Sequence, residues 1–247
     1  MSTESSTITM RYDQVHMGVP DPKAGAEWYL KHLDGVPGDH FDRTAFGATR
    51  FIFLKNEKAT PSQGSSIDHI GMSFRDIAAK ITQLESSGAG IKVVQPVRED
   101  ALYKRAVIQD PWGTKIEMVE DPETLGFHHV LLREPNVGEA TTWWQRMFGG
   151  ERAKLKGKVD ALKYGQVWVL LEQASDAPPS AGHSIDHIGF GAKDLNNRAT
   201  DLKTKGVTFT EEIHPGPSGP QAPLLMGFVK DPWGVKVELL ERLAEPQ

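Results

Sequence analysis

Apolar and polar positions change period several times along this chain. From residue 67, Ile67, His69 and Gly71 fall on one face of an alternating run while Asp68 and Ile70 fall on the other, which predicts a strand. Ile77, Ile81 and Leu84 then recur at spacings of four and three, one face of a helix, and Gly88 stands where a C-terminal glycine stops it. Alternation returns around the turn Asp110-Pro111-Trp112-Gly113, after which Lys115, Glu117 and Val119 share a face. Residues 12–54 run the same way: a strand, a helix closed near Gly35, then short strands. Beyond residue 126 both units come again, with Gly149 and Gly206 as the matching helix stops and Leu195, Ala199 and Leu202 as the matching helix face. The pattern predicts four strand–helix–strands units.

The repetition extends to identity. Ser-Ile-Asp-His-Ile-Gly at 66–71 recurs at 184–189, and Asp-Pro-Trp-Gly-Thr-Lys-Ile-Glu at 110–117 recurs as Asp-Pro-Trp-Gly-Val-Lys-Val-Glu at 231–238. Val15-His16-Met17 matches His128-His129-Val130, and each is followed by an aromatic pair, Trp28-Tyr29 and Trp143-Trp144. Identity over such strings marks a tandem duplication. Pro122 and Gly126 interrupt the pattern between two strands, which predicts domains at 1–122 and 123–247, two units in each.

Composition narrows the chemistry. The 28 Lys and Arg against 33 Asp and Glu give a net charge of -5 over 247 residues, and no basic stripe suits a nucleic-acid backbone. No apolar run approaches the ~20 residues of a membrane span. The first nine residues carry no apolar signal-peptide core, so the expected location is cytoplasmic, with export left open. The chain has no cysteine, which excludes thiolate nucleophiles, disulfides and Cys-based metal sites. Any metal must be held by His and carboxylate.

Such residues stand inside apolar strands, where a polar side chain is costly unless paired or ligating. They are His16, His69 and Glu117 in the first half and His129, His187 and Glu238 in the second. Two imidazoles and one carboxylate form the set that holds one face of an octahedral ion and leaves positions open, as in non-haem Fe(II) oxygenases. The same ligands suit Zn, Mn, Ni or Co. Counting four past the turn glycine, as for Glu117 and Glu238, the fourth corner is Phe51 in one half and Val169 in the other, or Phe53 and Leu171 after a slip. Neither pair can ligate, and Glu172 has the wrong parity. The triads form within each half, or by exchange: His16 with His187 and Glu238, and His129 with His69 and Glu117.

These residues resemble the vicinal oxygen chelate superfamily, which includes glyoxalase I, bleomycin- and fosfomycin-resistance proteins and extradiol dioxygenases. The resemblance rests on residues 15–22, on both Ile-Asp-His-Ile-Gly strings and on both Asp-Pro-Trp-Gly-x-Lys-x-Glu strings, and it covers residues 11–241. It implies an α+β fold of four βαβββ modules in two cup-shaped, partly open barrels. It also implies a divalent metal at the six residues above, with His129 preferred to His128 because it aligns with His16, and a small substrate that chelates the metal through adjacent oxygens. Glyoxalase I takes a carboxylate from both paired modules, which Phe51 and Val169 do not supply. Extradiol enzymes carry a Tyr about ten residues before the ligand Glu, where this chain has Val107 and Phe228.

Tyr103 and His214 are the nearby substitutes and the candidate acid–base groups. Arg105, Tyr164, Trp168 and Phe228 are the candidate substrate contacts, and Arg105 offers a bidentate carboxylate clamp. Residues 214–223 are rich in Pro and Gly and read as an irregular lid loop. Trp112 and Trp233 read as turn-anchoring core, Asp68 and Asp186 as structural, and Lys115 and Lys236 as strand-end surface. The expected function is a metal-dependent, Fe(II) dioxygenase-like oxidoreductase. A redox-neutral glyoxalase-like lyase or isomerase comes second, and a metal-free small-molecule binding or resistance protein third. The expected assembly is a monomer or homodimer without nucleic acid or membrane.

Overall fold

The computed structural model describes residues 9–219 and 223–242. The polar leader up to Ile8 and the centre of the 214–223 loop lie outside the described residues. Four modules of one plan follow each other. The first is β1 (Arg11–Val19), α1 (Pro22–His32), β2 (Val36–Pro37), β3 (Arg43–Phe46) and β4 (Thr49–Lys55). The second is β5 (Ile67–Ser73), α2 (Ile77–Ser86), β6 (Lys92–Glu99), β7 (Lys104–Gln109) and β8 (Lys115–Val119). The third is β9 (Gly126–Glu134), α3 (Val137–Phe148), β10 (Glu151–Leu155), β11 (Val159–Tyr164) and β12 (Val167–Gln173). The fourth is β13 (Ile185–Gly191), α4 (Leu195–Thr204), β14 (Thr208–Pro215), β15 (Leu225–Lys230) and β16 (Lys236–Glu241).

Local chemistry sets the helix ends. Asp21, Asp76 and Asn136 cap α1, α2 and α3 by accepting from backbone N–H groups of the first turn. Asp194 is left-handed and makes no such bond, so Glu241 of β16 takes the N–H groups of Asp194 and Leu195, both at 3.1 Å. Gly88 and Gly206 follow the C-caps with positive φ, as expected. At the end of α1 it is Asp34, not Gly35, that turns left-handed (φ 60°). Gly35 is there for space, since a Cβ would lie 2.3 Å from the Thr44 side chain.

The fold is α+β, with two open eight-stranded mixed sheets that cut across the duplication. The first runs β14-β15-β16-β13-β1-β4-β3-β2 and joins modules one and four; the second runs β10-β11-β12-β9-β5-β8-β7-β6 and joins modules three and two. The second module ends at Val119 and the third begins at Gly126, and each sheet takes one module from either side of that link. The seams are antiparallel, β1 with β13 and β5 with β9. The main core lies between the sheets and under the helices: Tyr12 packs on Phe190 (5.3 Å) and Phe127 (5.8 Å), and Phe51 on Phe127 (5.1 Å). Trp112 stands edge-on to Trp28 and Trp233 edge-on to Trp143, both packed against this core.

The two Asp-Pro-Trp-Gly turns are built alike but buried against different partners. Asp110 Oδ1 accepts from the N–H of Trp112 and Thr114, and its Oδ2 accepts from the Tyr29 hydroxyl at 2.8 Å. Asp231 Oδ1 accepts from the N–H of Trp233, Gly234 and Val235. Trp144 takes the place of Tyr29, and the fully buried Glu134 lies against Asp231. Burial, then the Asp231 charge, raise the Glu134 carboxyl well above the carboxylate range, so Glu134 keeps its proton near pH 7. The folded chain thus keeps a proton that the unfolded chain loses above about pH 4.5, and stability falls as pH rises through that window. From about pH 6 to about pH 9 the wild-type Tm should drop more than that of Glu134→Gln, by on the order of 10 °C, as read by thermal melts.

Candidate metal centres

Each sheet carries a His/Glu cluster on the face turned away from the main core. In the second sheet β9, β5 and β8 lie side by side, and pairing puts His129 opposite Gly71 and Gly71 beside Glu117. His69 enters from the same strand as Gly71. His129 Nε2 is 3.3 Å from Glu117 Oε2 and His69 Nε2 is 3.9 Å from it. The imidazole rings cross at 80° with centroids 5.4 Å apart. Glycine is required at 71, because a Cβ there would lie 2.0 Å from the His129 ring.

Hydrogen bonds at the far nitrogens set the tautomers. His69 Nδ1 lies 2.6 Å from Asp68 Oδ1, and a carboxylate only accepts, so Nδ1 carries the hydrogen and Nε2 keeps its lone pair. His128 Nε2 lies 3.2 Å from Asp121 Oδ2 and its Nδ1 lies 2.8 Å from His129 Nδ1. The hydrogen therefore sits on His128 Nε2 and on His129 Nδ1, again leaving Nε2 as an acceptor. Burial, then the His129 charge, push His128 down to about 4, and burial lowers His129, so both are neutral near pH 7. Burial alone would raise the Glu117 carboxyl, but His129, His69 and Arg105 outweigh it and hold it far below the usual range. Arg105 donates to Oε1 at 2.7 Å, leaving Oε2 for the histidines. Three acceptor atoms thus converge with no donor among them, and the Nε2 atoms of His69 and His129 are buried without a partner. A divalent cation fits that donor set.

The first-sheet cluster is His16, His187 and Glu238. His16 Nε2 and His187 Nε2 lie 3.2 and 3.4 Å from Glu238 Oε2. Its ligand rows differ from those of the second sheet. His69, His129 and His187 each stand seven residues before the N-cap of the following helix. In the first module that position is Gln14. Pairing agrees: Gln14 faces Gly189 as His129 faces Gly71, and His16 faces His187 as Leu131 faces His69. The alignment of His16 with His129 is thus two residues out of register in space, because the loops before α1 and α3 differ in length from the matched His. Gln14 Nε2 donates to Glu238 Oε2 at 2.6 Å, and Arg242 donates to Gln14 Oε1 at 2.8 Å. Burial, then the neighbouring His187, lower His16 to about 3.

The fourth corner also shifts. His16 lies beside Ile52 and Leu131 beside Leu170, the positions matching Glu238 and Glu117. Phe51, Phe53 and Val169 point into the main core instead. The place remains apolar, one residue on from the count.

Other candidates are redistributed. Tyr103 is buried with its hydroxyl 3.4 Å from His128 Nε2, so it braces the layer behind His129. Arg105 is paired with Glu117 and Asp100 and has no free fork for a substrate. Trp168 lies beside His129 and joins Tyr103, Val119, Ala161 and Leu170 in a small apolar cluster. Tyr164 is on the opposite side, in the main core, with its hydroxyl on the Gly149 carbonyl at 2.9 Å. The turn between β11 and β12 breaks the parity that linked it to Trp168. Phe228 stands edge-on to His187 at 5.3 Å, in the first-sheet cluster. His214 and Pro215 close β14 rather than open a loop, and His214 is bound to Glu211 at 2.7 Å on an outer strand. Lys115 and Lys236 are not bare surface: they pair with Asp68 and Asp186, the carboxylates that hold His69 and His187. A cavity of about 740 Å³ between α1, α2 and the start of β9 shares no residue with either cluster.

The profile of the Glyoxalase/Bleomycin resistance protein/Dioxygenase superfamily matches residues 11–118 and again 126–239. The chain belongs to that superfamily. Two solved structures share the fold over nearly the whole chain. Glyoxalase I from Zea mays superposes with a TM-score of 0.72 at 18% identity, covering 94% of this chain and 92% of that one. A candidate dioxygenase from Bacillus subtilis subsp. subtilis str. 168 superposes with a TM-score of 0.67 at 14% identity, covering 96% and 86%. Among curated proteins none matches. The residues that sequence reasoning passed over are Gln14, Asp121 and Arg242, and His128, set aside there as a ligand, orients His129 instead; counting back seven from each helix cap would have found the first. Gly71→Ala should displace the His129 ring and weaken Co(II) binding at least ~10-fold in a competition titration, with the far-UV CD spectrum retained.

Proposed function

We propose that the chain is a metal-dependent enzyme centred on His69, Glu117 and His129. It acts on a small substrate that chelates the ion through adjacent oxygens, in a reaction of the Fe(II) dioxygenase type. One observation carries the reading: two Nε2 lone pairs and one carboxylate oxygen converge without a donor, at the edge of an apolar cluster. The three would hold one face of an ion, and Leu170 at the fourth corner adds no ligand. The bound ion supplies Lewis acidity and open positions for a bidentate substrate.

The chain's own residues do the rest. Arg105 holds Glu117 ionised and oriented. Asp68, and Asp121 through His128, keep the imidazoles in the tautomer that presents Nε2. Leu131, Trp168, Leu170 and Val119 form a wall that excludes water and suits an apolar or aromatic substrate body. A redox-neutral lyase or isomerase is the second reading. It is favoured by Val107, which faces Glu117 where a phenol donor would be needed, and by the Tyr103 hydroxyl being turned to His128.

Protein purified anaerobically without added metal should carry about one equivalent of divalent ion, and Glu117→Ala and His69→Ala should reduce this at least ~10-fold. Oxygen uptake with catechols, absent in both variants, would support the dioxygenase reading. Turnover that persists without O2 would move the assignment to the redox-neutral class. Ligand binding that is unchanged in Glu117→Ala would leave a binding protein.

A further inference from the structure

We infer that the first-sheet cluster holds no divalent metal and works instead as a clamp across the β1–β13 seam, so the two sheets have divided metal binding and bracing between them. The inference rests on the reading of the second-sheet centre only for its contrast.

Three observations point the same way. The first is ring geometry. An imidazole binds a metal along a lone pair in its own plane, at ~2.0–2.1 Å. The planes of His69 and His129 cross at 80°, an angle that lets planes this far apart meet within a few ångströms of the rings. His16 and His187 instead stack at 4.1 Å with an interplanar angle of only 22°. Overlapping planes that shallow meet roughly 10 Å from the rings, far beyond metal–imidazole reach.

The second is the occupation of the carboxylate. Glu238 Oε2, the oxygen that faces both histidines, already accepts from Gln14 Nε2 at 2.6 Å. Arg242 binds Gln14 Oε1, which sets the amide with its N–H side toward Glu238. The place filled by an acceptor in His129 is filled here by a donor.

The third is register. His16 sits two residues along the strand from the ligand position, at the place of Leu131, directly opposite His187. Across that seam it stacks one module on the other. Phe228 packs edge-on behind His187, and Asp186 holds its Nδ1 at 2.6 Å. His187 is therefore held on three sides, by Phe228, Asp186 and the stacked His16 ring, while His16 is held by stacking and burial, with neither ring nitrogen hydrogen-bonded.

The test is a Co(II) titration of the full chain under anaerobic conditions, read by absorption and by bound metal per chain. Wild type should bind about one equivalent, Glu238→Ala the same, and Glu117→Ala almost none. Glu238→Ala should also lower the Tm of metal-free and Co(II)-loaded protein by the same amount, as a seam clamp requires. The double variant Gln14→His, His16→Leu, which copies the second-sheet rows, should raise the stoichiometry to about two. A second equivalent in wild type that Glu238→Ala abolishes would overturn the inference while sparing the Glu117 centre. Binding that Glu117→Ala does not reduce would overturn the proposed function and leave the Glu238 result to decide the inference. A folded double variant (unchanged far-UV CD) that still binds one equivalent would refute the role given to Gln14 and His16.

Discussion

Both clusters depend on one steric constraint, the approach of two antiparallel strands at a seam between modules from opposite halves. His129 of β9 and Gln14 of β1 reach the clusters because the residue facing each is glycine. At Gly71 the space is taken by the His129 ring, and at Gly189 by the Gln14 side chain, which a Cβ would approach within 2.0 and 2.5 Å. The Ile-Asp-His-Ile-Gly string thus carries a ligand and, two residues on, the vacancy for a ligand from the other half. Its Asp holds the ligand imidazole from behind. One five-residue string supplies ligand, orienting group and room.

The duplication shows how little is needed to change what such a seam does. The strands, pairing and helix caps of the two sheets correspond closely. Gln14 for His129 and His16 for Leu131 replace a convergent pair of crossing rings by a stacked pair and an occupied carboxylate. Electrostatics follow. Arg242, Arg50 and Asp13 gather beside the first cluster, whereas the second opens on Leu131, Trp168 and Leu170. An ion beside an apolar wall is exposed to less competing solvent and to a stronger field than one beside a network of paired charges.

Buried carboxyl groups take opposite states in the same molecule, according to their partners. Glu117 and Glu238 remain ionised despite burial because histidine and arginine face them. Glu134 keeps its proton because it is buried and because its neighbour is another carboxylate whose own oxygen is committed to three backbone N–H groups. The Asp-Pro-Trp-Gly turn is common to both halves; what lies under it, Tyr29 or Glu134, decides the ionisation.

Much of this protein was legible in its order of residues. Period changes mark the four modules, and repeated strings mark the duplication. Lone His and Glu in apolar strands mark the two clusters, since burial makes such residues expensive without a partner. Gly88 and Gly206 mark helix ends because left-handed backbone favours glycine. Sequence left the module pairing open, and tertiary structure decided it by exchange, joining one with four and two with three. It also decided the register. His16 and His129 match as letters, but strands align through their hydrogen bonds and their helix caps, and these put Gln14 where His129 stands. Tyr164 and Trp168 share parity by counting and part company at a turn. Arg105 reads as a free cation until the fold sets Glu117 beside it. Local spacing determines which face a side chain takes along its own strand, whereas its partner across a seam, 58 residues away for Gly71 and His129 and 171 for His16 and His187, is recorded in neither composition nor period.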